Sequence, residues 1–161
     1  MALTPESDAA LRWHAAVRAP LSERRLMPRV LVAHSDKSMR QLVKLQLVCA
    51  GYDVIVAESA AEAGQAMLRQ PPDAIVLDVD MPYIDGLEFM SSLKCDPEVP
   101  LIPVIFLTPR EDAFERAVRL GALACLTAPL RTEELLDAVA RCARPSGEAR
   151  SRMGFRPARA A

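Results

Sequence analysis

Five short apolar runs recur along the chain. They cover residues 30–33, 54–57, 74–77, 104–107 and 123–126. The first four are rich in Val, Ile or Leu and do not alternate with polar residues, which is typical of strands buried on both faces of a parallel sheet. The fifth run is a weaker signal of the same kind. The runs therefore predict five parallel β-strands.

The interval after the first run predicts an amphipathic helix over residues 37–49. We expect its apolar side to face a core, and the residues assigned to that side are Met39, Leu42, Val43, Leu45 and Leu47. Gly51 follows as a stop, because glycine readily adopts the left-handed backbone that ends many helices.

The later intervals carry helix start and stop signals of their own. Ser59 and Glu62 form a capping box that opens a helix, which ends before a Pro-Pro pair. Residues 86–93 and 113–120 predict the next two helices. Thr132 is the predicted N-cap of a last helix that runs to about residue 143.

Strand and helix thus alternate, which predicts a doubly wound α/β sheet with right-handed crossovers. Such sheets bind ligands at the carboxyl ends of their strands. Asp78 ends the third run and Thr108 follows the fourth. A carboxylate beside a neighbouring hydroxyl suggests an acyl-phosphate site, in which the carboxylate is the nucleophile and the hydroxyl donates to the phosphoryl group.

Composition and charge divide the chain into three parts. Of its 161 residues, 51% are apolar and 25% are charged, which is typical of a folded domain with short extensions. Residues 29–144 hold 12 Lys/Arg and 17 Asp/Glu, whereas residues 145–161 hold four Arg and one Glu. We therefore expect an N-terminal extension over 1–28 with one helix from Thr4 to about Arg18, a folded body over 29–144, and a basic, disordered tail over 145–161.

The same features bound the cellular setting. The net charge of −1 gives no general attraction to nucleic acid, and no apolar run approaches the length of a membrane span. Cys49, Cys95, Cys125 and Cys142 lack the spacing of a metal or redox motif, so we expect buried, reduced thiols. The prediction is a cytoplasmic protein with neither nucleic acid nor membrane as a partner.

Residues 77–86, with the sequence LDVDMPYIDG, are the most specific motif in the chain. Together with 29–32, 102–105 and 127–129 they make residues 29–144 resemble a two-component response-regulator receiver domain. The resemblance implies a flavodoxin-like fold of the CheY type, with strand order 2-1-3-4-5. It also implies that Asp78 and Thr108 lie in one pocket at the carboxyl ends of their strands.

The resemblance assigns roles to individual residues. Asp78 matches the phosphoaccepting aspartate and Thr108 the switch hydroxyl. Asp78 and the backbone carbonyl of Asp80 match Mg²⁺ ligands. Pro129 matches a proline that follows a cis peptide bond.

Four site positions depart from the family pattern. His34 and Ser35 stand where receivers carry two acids, and Asp36 comes one residue too late to replace them. Ala128 replaces the lysine that pairs with the phosphoryl group, and Cys125 replaces the switch aromatic. Mg²⁺ requires hard oxygen ligands and phosphoryl transfer requires cations, so we expect weak or no Mg²⁺ binding and no other cofactor.

These features predict a signalling module rather than an enzyme. We expect a stand-alone, atypical receiver of a phosphorelay that contacts a sensor kinase, phosphotransfer protein or downstream effector through residues 111–143. A homodimer is an alternative assembly. A conventional phosphoaccepting regulator using Asp78 is the alternative function. A small haloacid-dehalogenase-type phosphatase using Asp78 and Asp80 is a remote alternative function. The Asp-x-Asp signature of those phosphatases normally follows the first strand.

Overall fold

The computed structural model describes residues 27–97, 99, 101–108 and 111–143. The N-terminal helix and the basic tail predicted from the sequence lie outside these residues. No helix in the described part of the chain is long and apolar enough to cross a membrane.

Five parallel strands form one sheet in the order β2-β1-β3-β4-β5. They are β1 (Arg29–Ala33), β2 (Asp53–Ala57), β3 (Ala74–Asp78), β4 (Val104–Leu107) and β5 (Ala124–Leu126). All residues of β3 and β4 are buried, and all but the first of β1 are buried. The predicted fold and strand order are confirmed, and uninterrupted apolar runs produced these strands because both of their faces are covered.

In the described part of the chain, five helices cover the two faces of the sheet. They are α1 (Lys37–Cys49), α2 (Ala60–Arg69), α3 (Gly86–Cys95), α4 (Glu111–Arg119) and α5 (Thr132–Cys142). Apolar residues of α2, α3 and α4 pack with one set of strand residues, and those of α1 and α5 pack with the alternate set. Successive strand residues point to opposite faces, so each layer has its own apolar core.

Side chains at the helix starts satisfy backbone N–H groups that have no partner within the helix. The side chains of Asp36, Ser59 and Asp85 cap the starts of α1, α2 and α3. Each accepts a hydrogen bond from the backbone N–H of the residue three positions later. Thr132 does not cap α5 as predicted, since Arg131 holds that position without a side-chain cap. The Thr132 hydroxyl instead accepts from Gln46 Nε2 at 2.8 Å and joins α5 to α1.

Two predictions about burial are wrong. Val43 and Leu47 of α1 are buried, but Leu42 and Leu45 are 45% and 61% exposed. The apolar residues of this helix lie on several of its sides, so the sequence pattern did not identify which of them face the sheet. Cys49 and Cys95 are exposed rather than buried, because they lie at the ends of α1 and α3, whereas Cys125 and Cys142 are half-buried.

Candidate functional site

Asp78 ends β3 in the middle of the sheet and is 4% exposed. Its Oδ1 accepts a hydrogen bond from the backbone N–H of Asp80 at 3.0 Å, and its Oδ2 accepts one from the Ser35 hydroxyl at 3.1 Å. The carboxylate is therefore held by the loop that follows its own strand and by the loop that follows β1.

Ser35 links the oxygens that the family resemblance assigns to Mg²⁺. Its Oγ lies 3.1 Å from Asp78 Oδ2 and 3.2 Å from the backbone carbonyl oxygen of Asp80. A hydroxyl has one proton to donate, so these two acceptors share it. Ser35 thus supplies a neutral proton donor between a carboxylate and a carbonyl.

His34 lies beside the same carboxylate without bonding it. Its Nδ1 accepts a hydrogen bond from the backbone N–H of Asp36 at 3.0 Å, which requires that Nδ1 carry no proton. The 3.5 Å contact between Nδ1 and Asp78 Oδ2 then joins two acceptors. An ion pair there would require a proton on Nδ1 and would exclude the hydrogen bond from the Asp36 N–H.

Arg40 fixes the loop that carries these two residues, a role that the sequence did not reveal. Its side chain donates to the carbonyl oxygens of His34 and Ser35 at 2.6 and 3.2 Å, and its Nη2 lies 3.6 Å from Glu58 Oε2. Arg40 is only 9% exposed. It satisfies backbone carbonyls of the loop. Asp36, which follows Ser35 in the chain, caps the start of α1, a role that was not predicted from the sequence.

Thr108 is 3% exposed and directly follows β4, the neighbour of β3. Asp78 is paired with Leu107, so Thr108 stands one residue beyond that pair. Its backbone N–H donates to the carbonyl oxygen of Leu126 on β5 at 3.0 Å. Thr108 therefore lies at the same edge of the sheet as Asp78, and their placement in one pocket stays a prediction.

The last strand and the loop that follows it contain the remaining predicted positions. Ala128 is exposed, and the Ala128–Pro129 peptide bond is cis, the geometry that the resemblance implied. Cys125 lies half-buried in β5, where burial raises the pKa of its thiol. A protonated thiol at position 125 and a methyl group at position 128 bring no positive charge to the site.

Gly86 shows why the motif after Asp78 ends in glycine. A Cβ at this position would clash with the backbone carbonyl oxygen of Asp78 and lie 3.1 Å from the Cα of Val79. The Gly86 N–H also donates to the Val79 carbonyl at 2.9 Å. Within the same loop Tyr83 adopts a left-handed φ of 69° and is fully exposed, a backbone state that is uncommon for a bulky residue.

The donors present are a poor match for Mg²⁺. They comprise the Asp78 carboxylate, the Asp80 carbonyl and the Ser35 hydroxyl, so one charged ligand remains where the family pattern has three. The side chain of Asp80 belongs to an exposed residue. Within residues 27–97, 99, 101–108 and 111–143, no group of three or more His, Cys, Asp or Glu side chains is placed to hold a metal ion.

Comparison with known proteins gives one family. Residues 30–140 match the response regulator receiver domain. "Response regulator MprA" of Mycobacterium leprae is 37% identical over 110 residues, which cover 67% of this chain and 47% of that protein. MprA of Mycobacterium avium is 36% identical over 128 residues, or 76% of this chain and 55% of that protein. The chain thus matches about half the length of these relatives.

Solved structures show the same similarity. The chemotaxis protein CheY4 of Vibrio cholerae is 30% identical with a TM-score of 0.66, covering 72% of this chain and 98% of CheY4. A putative response regulator from Chloroflexus aurantiacus is 28% identical with a TM-score of 0.68, covering 72% and 97% of the two chains. The strand order, the buried aspartate at the end of β3 and these matches agree, and the chain belongs to the response regulator receiver family of two-component signalling.

Proposed function

We propose that this receiver domain signals mainly through contact between its surface and a partner protein, with little dependence on phosphorylation of Asp78. The observation that carries the proposal is the shared hydrogen bond from Ser35 to Asp78 and to the Asp80 carbonyl. It gives these two oxygens a proton donor where the family resemblance implies a divalent cation.

The charge balance at the site supports the proposal. Phosphorylation of Asp78, which is 4% exposed, would add a group with a charge near −2 to the site. Ser35 can contribute a hydrogen-bonding group but no positive charge, and Ala128 can contribute neither. Phosphoryl transfer relies on cations that neutralise the equatorial oxygens. We therefore expect slow phosphorylation.

A weak link between the site and the partner face also supports the proposal. Movement of Thr108 would have to be transmitted through position 125, where a small thiol replaces an aromatic ring. A packed element transmits a change when it has two distinct arrangements, and Cys125 lacks the bulk to provide them. A phosphoryl group that stabilises the two conformations of the domain almost equally shifts their populations little.

The face built from α4, β5 and α5 is the proposed contact surface. Phe114 and Val118 lie one helical turn apart on α4 and are 48% and 54% exposed, and Leu123, just ahead of β5, is 38% exposed. Exposed apolar side chains at this spacing are suited to contact with another protein. A sensor kinase, phosphotransfer protein or downstream effector of the two-component system is the expected class of partner.

Acetyl phosphate tests the proposal directly. The protein is incubated with acetyl phosphate and Mg²⁺, and its intact mass is followed beside that of Asp78→Asn. We expect wild type to gain little phosphoryl mass. The triple variant His34→Asp/Ser35→Asp/Ala128→Lys should gain much more, because it restores the acidic pair and the lysine.

Amide NMR of residues 111–143 under the same conditions separates this proposal from the conventional alternative. The similarity to proteins named response regulators supports that alternative. Near-complete phosphorylation of wild type at Asp78, accompanied by shifts across α4, β5 and α5, would overturn the proposal and identify a phosphorylation-driven regulator.

A further inference from the structure

The outward face of α1 differs from the outward faces of the other helices. Six exposed residues share this face at helical spacing and none of them is charged; they are Ser38, Gln41, Leu42, Leu45, Val48 and Cys49. The exposed fractions of Leu42, Leu45 and Val48 are 45%, 61% and 49%. Each of the other four described helices exposes at least one charged residue. Because surface helices normally carry charge on this side, the face of α1 is suited to contact with another apolar surface.

Leu45 lies at the centre of this face and is directed away from the sheet. Val43 and Leu47 of the same helix are fully buried. Successive residues of an α-helix are about 100° apart, so Leu45 lies opposite the mean direction of Val43 and Leu47. A second helix could therefore pack on Leu45 with its own domain on the far side, where the two domains would not collide.

The charge of the domain favours a second copy of the chain on this face. Residues 29–144 hold 12 Lys/Arg against 17 Asp/Glu, a net charge of −5, so two copies repel each other over much of their surfaces. This repulsion is smallest where a surface is uncharged. A twofold-symmetric contact also requires a patch that is complementary to itself. The uncharged face of α1 meets this requirement, because it places no like charges opposite each other.

Packing of two α1 helices in opposite directions adds a favourable charge contact at each end. Lys37 flanks the face at the start of α1, and the last turn of α1 contains no basic residue. Antiparallel packing about Leu45 would bring Lys37 of each copy beside the C-terminal end of the other α1. The partial negative charge at a helix C-terminus favours a cation there. Parallel packing would instead bring the two Lys37 side chains together.

We propose that the domain forms a homodimer in which the outward faces of two α1 helices pack antiparallel to each other. At the twofold axis Leu45 meets Leu45 of the second copy, while Leu42 meets Cys49 and Val48 meets Gln41 on either side. The helix is about 20 Å long, and a contact of this size falls below the roughly 1,200 Å² of stable interfaces, so the dimer is weak. It uses a different surface from α4, β5 and α5 and is compatible with the proposed partner contact.

Sedimentation velocity of the full-length protein tests the dimer over a concentration range of about 10–500 µM, which suits a weak interface. We expect the sedimentation coefficient of the wild type to rise with concentration. Leu45→Asp should weaken association by about tenfold or more, because it places like charges opposite each other at the twofold axis. Leu68→Asp on α2 is the matched control, because Leu68 is also half-exposed, at 50%, and this variant should associate as the wild type does.

Mixtures of charged variants test the arrangement of the two helices. Leu45→Asp and Leu45→Lys should each be monomeric, whereas their equimolar mixture should dimerise, because opposite charges then meet at the axis. A variant that had failed to fold could not be rescued in this way. Leu42→Asp mixed with Cys49→Lys should associate more tightly than either variant alone, since only antiparallel packing brings positions 42 and 49 together.

Three results would overturn the proposal. The first is a monomeric wild type throughout the concentration range. The second is equal loss of association in Leu45→Asp and Leu68→Asp. The third is a dimer that survives Leu45→Asp but is lost in Val118→Asp, which would assign association to the face of α4, β5 and α5. Association that is lost in Leu45→Asp and restored by mixing this variant with Leu45→Lys supports the contact between α1 helices.

Discussion

The hydroxyl of Ser35 donates to the carboxylate of Asp78 across 3.1 Å and thereby joins the loop after β1 to the end of β3. Its oxygen lies almost as close to the Asp80 carbonyl oxygen, at 3.2 Å. A hydroxyl can satisfy these oxygens as hydrogen-bond acceptors but cannot neutralise their negative potential as a divalent cation would. The loop is thus complete as a hydrogen-bonded structure, and we expect its capacity to hold a cation to be reduced.

The first prediction concerns Mg²⁺ affinity. Amide NMR shifts of residues near Asp78, followed during a Mg²⁺ titration, should not saturate at low millimolar metal in the wild type. His34→Asp/Ser35→Asp adds two carboxylates beside the existing one, and hard cations prefer charged oxygen ligands. We expect this variant to bind Mg²⁺ at least about tenfold more tightly.

Ser38→Asp is the control for that titration, because it adds negative charge on the exposed side of α1 rather than in the loop after β1. Its Mg²⁺ titration should match that of the wild type. Saturation of the wild type at low millimolar metal would contradict the prediction and show that Asp78 and the Asp80 carbonyl suffice.

The second prediction compares two glycines that differ in the space around them. At Gly86 a methyl group would clash with the Asp78 carbonyl oxygen, whereas at Gly64 in α2 it would meet only Phe89 at an ordinary 3.9 Å. Gly86→Ala should lower the free energy of unfolding by about 1–3 kcal/mol through overpacking. Gly64→Ala should raise it by about 0.5–1 kcal/mol through better helix propensity.

Urea denaturation of the two variants tests this contrast. Gly86→Ala should also change the amide NMR signals of Asp78 and Val79, because the new methyl group displaces their backbone. Equal stabilities for the two variants would show that the loop after β3 moves aside without loss.

The third prediction concerns the loop that presents His34 and Ser35. Arg40→Met removes the side-chain donor to both backbone carbonyls while keeping an unbranched apolar stem. Hydrogen bonds from a charged group contribute about 1.5–3 kcal/mol each, so we expect a loss of that order in the free energy of unfolding. Lys44→Met, one turn later on α1, should change stability by less than about 0.5 kcal/mol. Similar losses in both variants would mean that charge on the helix, rather than the loop contacts, determines stability.

The fold was predictable because its signals are local. Five apolar runs gave the strands, and the capping box of Ser59 and Glu62 gave the start of α2, where the Ser59 hydroxyl accepts from the Glu62 N–H at 3.2 Å. The exposure of Leu45 was not predictable in this way. Its helix offers several apolar sides, and only packing against the sheet selects one.

The residues of the site were predictable, but their contacts were not. Asp78, Thr108 and Ala128 could be located by strand ends and by the family motif. The bond from Ser35 joins residues 43 positions apart, and the bonds from Arg40 depend on the path of the loop after β1. Such contacts follow from the assembled sheet and have no periodic signature in the sequence.

The last prediction concerns stability at alkaline pH. Burial raises the pKa of the Cys142 thiol from 9.0 to about 12, an effect that nearby Arg141 partly offsets. Burial also raises the pKa of Tyr52, and the charge of Cys142 acts in the same direction. The folded protein therefore keeps protons that the unfolded chain releases, so this contribution to stability is complete below pH 9 and declines as the pH approaches 12.

The free energy of unfolding, from urea titrations across this range, should fall with rising pH. The free energy of unfolding of Cys142→Ala should fall less steeply with rising pH. That of Cys49→Ala, which alters an exposed thiol, should keep the wild-type slope. Identical slopes in the wild type and in Cys142→Ala would show that ionisation of this thiol is not coupled to folding.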